Sequence, residues 1–558
     1  MHLWQSGSLG MNDNKQLLKL LLSTRCILLV CGISIIAGLV LTYIGIHGWD
    51  DTFRYHHSQW LLSVYHLKDY VGGEYPHLRS YSAIPMELVL ALITECVLPF
   101  LHDPYWIRHT FVFAAFPFSL YILFVVLLRS GYGVPTGLIA VTGMMSIIRL
   151  GGHALWNVKD APHALVHLLV ILLLWTGLLN VQEMIKKQKP PPYTLLIGMG
   201  VLSVMPFLFR RPNISQIALL FPTMIVLALS YKSLSWRNRT IMVGLPVLSA
   251  MVTLVVFYPP IIKSGLGVVV NSIQTTANFG WGGYVRLFGR TFFSQNLPWW
   301  YAFAWLPVIA TSTVILLSAV GLVFSVMFKG KQKSETLSLS LSLRRYQWSW
   351  TLQTWLWIQV CAVWFAVLFL KPTLYDEERH LLFIYPPVFL LGLLGLRYLK
   401  ANIQYALAAI MFVTAMAAYV HWGQYAYIYK STLIGNRNSF AFMGDYKKLC
   451  YARGVDALAR IAPSPSLVSV DGFTVNLARI QYDRLRYSPV MSWRYPDLPQ
   501  LQFASWRPKA TPFYVITSNR VGSEFFTVRR EIKEGKAEFI WGERFPTGEQ
   551  GCIIARYN

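Results

Sequence analysis

Long apolar stretches separated by short polar segments dominate the sequence. Each approaches the length of about 20 residues that a helix needs to cross a bilayer. The eleven stretches are residues 26–46, 109–128, 133–148, 162–180, 193–208, 213–230, 240–258, 299–328, 350–370, 380–396 and 401–422. The pattern predicts an all-α polytopic membrane protein with about 11 transmembrane helices.

A further apolar stretch, residues 84–101, contains Glu87 and Glu95 and has a proline near each end. Carboxylates are costly within a bilayer, so we interpret this stretch as a helix that lies in the membrane interface. The interpretation fixes which side of the membrane every later segment occupies.

The distribution of Lys and Arg agrees with this topology. With a cytoplasmic N-terminus and eleven spans, the predicted inside segments carry these residues at a higher density than the outside loops, as the positive-inside rule requires. If residues 84–101 crossed the membrane, the bias would reverse from residue 102 onward. The first outer loop then covers about residues 47–108, and the segment that follows the last span is extracytoplasmic.

Residues 423–558 lack such long apolar stretches and contain charges, prolines and short alternating runs. We predict a transmembrane domain over residues 1–422 and a small C-terminal extracytoplasmic α/β domain over residues 423–558. Cys450 and Cys552 both lie in this tail. Disulfides persist in oxidising compartments, so a bond between them depends on the tail lying outside the cytoplasm.

Composition excludes a purely soluble enzyme. Of 558 residues, 55% are hydrophobic and 13% are charged, whereas soluble domains carry about 25% charged residues. The formal net charge of +24 reflects bases that cluster at the ends of apolar runs, where topology and anionic membrane lipids explain them. The sequence contains no recognisable nucleic-acid-binding module, so nucleic acid is not an expected partner.

The outer loop after the first span begins with two adjacent carboxylates, Asp50 and Asp51. Such a pair can supply a general base and a partner that orients a hydroxyl group or a cation. The alternative is a polar helix terminus whose acidic residues face water.

The next outer loop contains Asn157, Lys159 and Asp160, followed by Pro162. An amide, an ammonium and a carboxylate within four residues suit sugar hydroxyls or a phosphate. Alternatively, Asp160 caps the following helix and Lys159 extends its ammonium to water.

The loop before the tenth span contains Arg379 and His380. The planar guanidinium of arginine is suited to a phosphate that gains charge as it leaves. The alternatives are an ion pair of Arg379 with Asp376 or Glu377, and a histidine packed at a helix end.

Arginines also occur on the predicted outer side, where the charge rule disfavours them. Arg210 and Arg211 follow the fifth span, which suggests a phosphate-binding role. The loop 259–298 combines arginines with aromatic residues and contains no acidic residue. That composition suits either sugar stacking or an interfacial aromatic belt.

Taken in order, these elements resemble the GT-C superfamily of membrane glycosyltransferases, in particular bacterial relatives of protein O-mannosyltransferases and of the aminoarabinose transferase that modifies lipid A. Each element is short, and the resemblance lies in their order along almost the whole chain. The elements are Asp50-Asp51, the interfacial helix, Asn157-x-x-Asp160-x-Pro162, Leu297-Pro298-Trp299-Trp300, Tyr375-Asp376-x-x-Arg379-His380, Pro386-Pro387 and Gln424-Tyr425-x-Tyr427.

The resemblance implies an enzyme of the bacterial inner (plasma) membrane whose active site faces outward, among membrane lipids. Such enzymes transfer a hexosyl or pentosyl group from a polyprenyl-phosphate sugar donor to an extracytoplasmic acceptor, which is a glycolipid, polysaccharide or protein. The transfer usually inverts the anomeric carbon.

The same resemblance implies roles for individual residues. Asp50 is the expected base, although the family pair is most often Asp-Glu, so Asp51 is the alternative. Arg379, with Lys159 or His380, is expected to stabilise the released phosphate.

The remaining members of the motifs are expected in substrate binding. Asn157 and Tyr375 belong to these binding elements. Asp51 or Asp160 would position the acceptor or a divalent cation, Mg²⁺ or Mn²⁺, whose requirement differs among relatives.

Two other functions fit a polytopic chain of this kind. A transporter or flippase of lipid-linked sugars predicts charges in the middle of several spans and helices broken by Gly or Pro. A glycan ligase or polymerase shares the topology and the aromatic content. The acidic elements after the first and third spans favour the transferase.

Overall fold

The computed structural model shows a helical membrane part followed by a small α/β domain. It describes residues 17, 19–42, 50–65, 67–68, 84–101, 103–210, 213–231, 234–258, 261, 265, 267–277, 283–328, 337–340, 347–374, 377–435, 442, 449–470, 478–479, 481–483, 498–505, 507–508, 511–518 and 523–558. Within several of these ranges, including residues 50–53, only the backbone is described.

The membrane part is built from helices joined by short connections. They are α1 (Thr24–Leu41), α2 (Asp50–Val64), α3 (Ile84–Leu101), α4 (Pro104–Arg129), α5 (Val134–Met145), α6 (Ile148–Trp156), α7 (Asp160–Lys186), α8 (Tyr193–Phe209), α9 (Ser215–Ser230), α10 (Trp236–Phe257), α11 (Gly267–Ala277), α12 (Ser312–Met327), α13 (Leu352–Leu370), α14 (Tyr385–Leu393) and α15 (Ala401–Trp422).

Within the described residues, seven helices are long and apolar enough to cross a membrane, or eight if the bent pair α5 and α6 is one span. The most central is α7, whose residues are largely buried among the other helices. Large apolar side chains such as Leu28, Phe365 and Val420 are exposed, which is favourable only where lipid surrounds the helices. The chain is therefore an integral membrane protein.

Helices α1 and α4 pack antiparallel. The Thr42 and Thr110 hydroxyls are 3.1 Å apart, and the Tyr121 hydroxyl donates to the Leu21 carbonyl at the other end of the pair. Gly38 permits this approach, because a Cβ there would lie 2.6 Å from the Thr110 carbonyl oxygen. The end of α1 and the start of α4 thus lie at the same membrane face.

This pairing bears on the interfacial interpretation of residues 84–101. A chain that leaves and returns at one face crosses the membrane an even number of times. Between α1 and α4, α3 is the only helix of the described residues with the length and hydropathy of a span, because α2 is polar. A single crossing is therefore inconsistent with the packing, which supports an interfacial α3 despite its span-like composition.

Two predicted boundaries were wrong. Residues 149–156, expected in a loop, belong to α6, which is bent 60° from α5. The stretch 299–328, expected as one span, is helical from Ser312 to Met327, after turns and a short 3-10 helix at Phe303–Trp305. Strands β1 (Tyr284–Leu287) and β2 (Arg290–Phe293) form one antiparallel hairpin. Strands β3 (Leu337–Ser340) and β4 (Gln347–Trp350), between α12 and α13, form another.

The segment Gly423–Ile428, a 3-10 helix, lies directly against α6. A Cβ at Gly152 would lie 2.2 Å from the Tyr427 backbone nitrogen, so only glycine allows this contact. The Trp156 indole donates to the Gln424 carbonyl at 2.9 Å. These contacts join the chain that follows α15 to the end of α6.

The C-terminal part contains helices α16 (Leu449–Ile461) and α17 (Phe525–Lys533) and a five-stranded sheet. Its strands are β5 (Ser466–Val470), β6 (Leu501–Ala504), β7 (Phe513–Ser518), β8 (Glu538–Arg544) and β9 (Gln550–Tyr557), in the order β6-β5-β7-β9-β8. β5 pairs parallel with β6 and β7, and β9 pairs antiparallel with β7 and β8. The predicted α/β fold is confirmed. Cys450 and Cys552, whose pairing the sequence left open, form a disulfide. The domain boundary at residues 422 and 423 stays a prediction.

Candidate functional site

The site is centred on the turn between α6 and α7. The Asn157 side-chain oxygen accepts hydrogen bonds from the backbone N–H groups of Lys159 and Asp160, at 3.2 and 2.9 Å. This Asx turn leaves the amide group of Asn157 to donate to an Asp160 carboxylate oxygen at 3.0 Å. Asparagine thus sets the helix start and orients the first carboxylate of α7.

The Asp160 carboxylate faces two arginines from distant parts of the chain. Arg210, at the end of α8, contacts its Oδ1 atom, and Arg379 Nε lies 4.0 Å from its Oδ2 atom. Only 2% of the Asp160 side chain and 6% of the Arg379 side chain are exposed. Burial strengthens these charge interactions and makes the loss of either partner costly.

Positive charge exceeds negative charge around Asp160. Lys159 is adjacent in sequence, and His380 lies within electrostatic range of Arg210, Arg379 and Lys159. Two arginines thus face one carboxylate, and Lys159 is a third cation within electrostatic range of His380. Such a surplus suits an anion that makes several charge-assisted hydrogen bonds, as a phosphate does.

A second group of charges lies beside the first. Arg149, on α6, contacts one carboxylate oxygen each of Glu377 and Glu378. His153 Nε2 is 3.4 Å from Glu378 Oε1, and its Nδ1 is 3.0 Å from the amide nitrogen of Asn157. Because Nδ1 accepts from that amide, Nε2 carries the proton and donates to Glu378. Burial raises the pKa of the Glu378 carboxyl, and Arg149 opposes this shift.

The structure brings together five of the eight residues selected from the sequence: Asn157, Lys159, Asp160, Arg379 and His380. Tyr375 and the side chains of Asp50 and Asp51 lie outside the described part. The backbone places Asp50 at the start of α2. Arg54, one turn later, lies 3.9 Å from the buried Glu87 of α3, which also pairs with Arg108. This buried cluster ties α2 to α3 and α4.

The sequence analysis missed Arg149, His153 and Glu378 as members of the site. Arg149 and His153 come directly after the apolar stretch 133–148, which was predicted as the third span. The sequence analysis therefore assigned both residues to the loop that follows. The available signal was an arginine and a histidine four residues apart beside an apolar segment, since ionisable groups at membrane depth are usually functional or paired. Their partners come from residues more than 200 positions away, which no local pattern indicates.

Within the described ranges, no three His, Cys, Asp or Glu residues are grouped so that they could hold a metal ion. The Asp160 carboxylate, one of two candidate ligands, faces guanidinium groups instead. The other candidate, the Asp51 side chain, is outside the described part, so the divalent cation stays a prediction.

The fold and the site define a helical integral membrane protein with a cation-rich polar site at one end of its helix bundle. No family model matches the chain, and neither does a curated protein sequence. Among solved structures, the chain is similar to the crystal structure of ArnT from Cupriavidus metallidurans bound to undecaprenyl phosphate. The alignment covers 96% of this chain and 98% of that chain, with 12% sequence identity and a TM-score of 0.45.

Proposed function

We propose that this protein is a membrane glycosyltransferase of the GT-C type that takes a sugar from a polyprenyl phosphate and passes it to an extracytoplasmic acceptor. The observation that carries the proposal is the pair of arginines, Arg210 and Arg379, that faces Asp160, with Lys159 and His380 nearby. A buried cluster of this kind at a helix end suits a lipid phosphate that gains negative charge as the sugar leaves.

In the proposed reaction, the oxygen of an acceptor hydroxyl or phosphate attacks the anomeric carbon of the sugar. The bond from that carbon to the phosphate oxygen breaks, and its electron pair stays on the lipid phosphate. Arg379 and Lys159 stabilise the resulting charge. Where the acceptor is a hydroxyl, Asp50 takes its proton. The transferred group is a hexosyl or pentosyl sugar, and the acceptor is a glycolipid, polysaccharide or protein.

The orientation is inferred from the C-terminal domain. The Tyr425 hydroxyl and the Gln424 amide donate to Glu543 of β8, at 2.8 and 3.2 Å, so the domain contacts the same end of the bundle as the site. The disulfide of that domain favours an oxidising compartment. Both arguments support an extracytoplasmic site in a bacterial plasma membrane with a cytoplasmic N-terminus.

A second candidate function, a transporter or flippase of lipid-linked sugars, is favoured by the break between α5 and α6, because discontinuous helices are common in transporters. Here the backbone at the break is already bonded, since Thr311 N–H donates to the Ser146 carbonyl at 2.9 Å and Arg149 N–H to the Ile309 carbonyl at 3.2 Å. The carboxylates that pair with Arg149 come from the loop before α14. This group of charges therefore lies at the end of the helix bundle that holds the site.

The test is mass spectrometry of envelope glycolipids and glycoproteins from four strains: wild type, gene deletion, and deletion complemented with Asp50→Asn or with Asp69→Asn. We expect one sugar to be missing in the deletion and Asp50→Asn strains. It should be present with Asp69→Asn, which makes the same change elsewhere in the first outer loop. Unchanged surface glycans, with a lipid-linked sugar accumulating on one leaflet, would instead support the transporter. Normal transfer by Asp50→Asn would assign the base to Asp51 or Asp160.

A further inference from the structure

Arg149 lies where three separate parts of the chain meet. Its side chain is fully buried, and its guanidinium contacts the carboxylates of Glu377 and Glu378. Its Nε donates to the Tyr429 carbonyl at 2.7 Å, and its guanidinium carbon is 5.0 Å from the centre of the Trp305 ring. One side chain of α6 thus connects the loop before α14 to the segment after α15.

The loop that Arg149 holds contains an unfavourable backbone conformation. Glu377 has a φ angle of +64°, in the left-handed region that costs a non-glycine residue about 1–2 kcal/mol. Such a conformation persists only where surrounding contacts enforce it. Glu377 and Glu378 immediately precede Arg379, which begins the 3-10 turn Arg379–Leu381. The contacts of Arg149 therefore determine the direction in which the chain enters Arg379.

We call the contacts of Arg149 with Glu377 and Glu378 the Arg149 clamp. A second connection runs from this clamp to Asp160. Glu378 is 3.4 Å from His153, His153 is 3.0 Å from Asn157, and Asn157 is 3.0 Å from Asp160. Both members of the Asp160–Arg379 pair are thus tied to the Arg149 clamp, one through the chain and one through hydrogen bonds. Each link joins buried side chains, in which geometry is closely constrained.

We propose that Arg149 is a positioning residue that, through Glu377 and Glu378, holds Arg379 in place to bind the phosphate of a polyprenyl-phosphate ligand. The inference rests on the proposed function, because it requires Arg379 to bind that phosphate. The Nε and Nη1 atoms of Arg149 contact protein oxygens. Its removal should therefore weaken recognition of the phosphate group while leaving recognition of the lipid chain intact.

The experiment measures binding of undecaprenyl phosphate and of undecaprenol to the purified full-length protein in nanodiscs. The ratio of the two affinities isolates the contribution of the phosphate. The variants are Arg149→Lys and Arg379→Met. Lysine keeps the charge, but its single ammonium cannot reproduce the guanidinium, whose Nη1 contacts both carboxylates while its Nε donates to the Tyr429 carbonyl. Thermal unfolding of each variant reports whether the fold is retained.

We expect Arg149→Lys to reduce the affinity for undecaprenyl phosphate about tenfold, which corresponds to about 1.4 kcal/mol, without changing the affinity for undecaprenol. Equal losses for both lipids, or an unchanged phosphate preference, would overturn the positioning role. If Arg149→Lys does not fold, Glu378→Gln decides the question, because it weakens the same clamp without leaving an unpaired charge. The same selective loss is then expected, and its absence counts against the proposal.

The controls separate this inference from the proposed function. A wild-type protein that binds both lipids equally well would refute phosphate recognition, and the positioning role with it. Loss of phosphate preference in Arg379→Met but not in Arg149→Lys would leave the proposed function standing and overturn the inference about Arg149.

Discussion

Arg379 Nε lies 4.0 Å from the Asp160 carboxylate, although the two residues are separated by more than 200 positions in the chain. Arg210 contacts the other oxygen of the same carboxylate. Asp160 is thus the counter-ion of two largely buried arginines. A phosphate that enters the site would share these cations with Asp160.

Replacing Asp160 with Asn should destabilise the ligand-free protein and increase its response to a phosphate ligand. Removing one partner of a buried ion pair costs about 3–5 kcal/mol, because the remaining charges lose their counter-ion. The measurement is thermal unfolding in nanodiscs with and without undecaprenyl phosphate. The lipid should raise the midpoint more in Asp160→Asn than in the wild type. An equal or smaller rise would show that Asp160 does not compete with the phosphate for these arginines.

Two glutamates of α3 provide a matched comparison. Glu87 is fully buried and pairs with Arg108, also buried, whereas Glu95 pairs with Lys68 in a partly exposed bridge. We expect Glu87→Gln to cost about 3–5 kcal/mol of unfolding free energy and Glu95→Gln less than about 1 kcal/mol. Chemical denaturation in detergent checks both. Similar costs for the two variants would contradict a buried anchor at Glu87.

The topology can be tested by reporter fusions. A reporter after Lys189 should lie in the cytoplasm and one after Pro259 outside, because three predicted spans, which correspond to α8, α9 and α10, separate the two positions. A phosphatase that is active only outside and a fluorescent protein that folds only inside give complementary signals. The opposite pattern would mean that α3 crosses the membrane.

The disulfide provides an independent test of sidedness. Alkylation of intact cells under non-reducing conditions should leave Cys450 and Cys552 unlabelled until a reductant is added. Cys450→Ala together with Cys552→Ala should lower the stability of the C-terminal domain by about 2–5 kcal/mol, because the bond closes a loop of 102 residues. Alkylation of both thiols without reductant would contradict the oxidised, extracytoplasmic assignment.

Lys430 is expected to make stability depend on pH. Burial lowers the pKa of its ammonium to about 8, below the value of about 10.4 in an unfolded chain. Between these two values the unfolded state binds more protons, so stability should rise as pH increases through this window. Lys430→Met should be more stable than the wild type at pH 7 and lack this rise. Parallel thermal melts at pH 7 to 10 measure the difference, and identical slopes would refute the burial effect.

The membrane helices were predictable from hydropathy, because a span must be apolar over its full length and lipid offers no partner to its backbone. The α1 and α15 stretches illustrate this, with α15 at residues 401–422 as predicted. The break between α5 and α6 was missed. At the break, the Ser146 carbonyl and the Arg149 N–H group form hydrogen bonds with residues 311 and 309. Partners so far along the chain leave no signal in the local sequence.

The site was predictable in part. Asn157 and Asp160 form a local turn, and Arg379 and His380 stand out as charges beside an apolar stretch, so short-range patterns revealed them. Arg210 was also noted in the sequence as a charge on the disfavoured side, but its partner Asp160 was not. Arg149 and Glu378 acquire their roles through contacts with residues far along the chain. Their pairing depends on which helix ends meet, which is a property of packing.

The sequence by itself determined that the chain crosses a membrane repeatedly, that an α/β domain follows, and which short polar motifs carry acids and bases. These features depend on local hydropathy and on residues close together in the chain. Only the tertiary structure decided that Asp160 faces Arg210 and Arg379 and that Arg149 binds Glu377 and Glu378. Buried charges are tolerated only beside their partners, and helix packing brings those partners together.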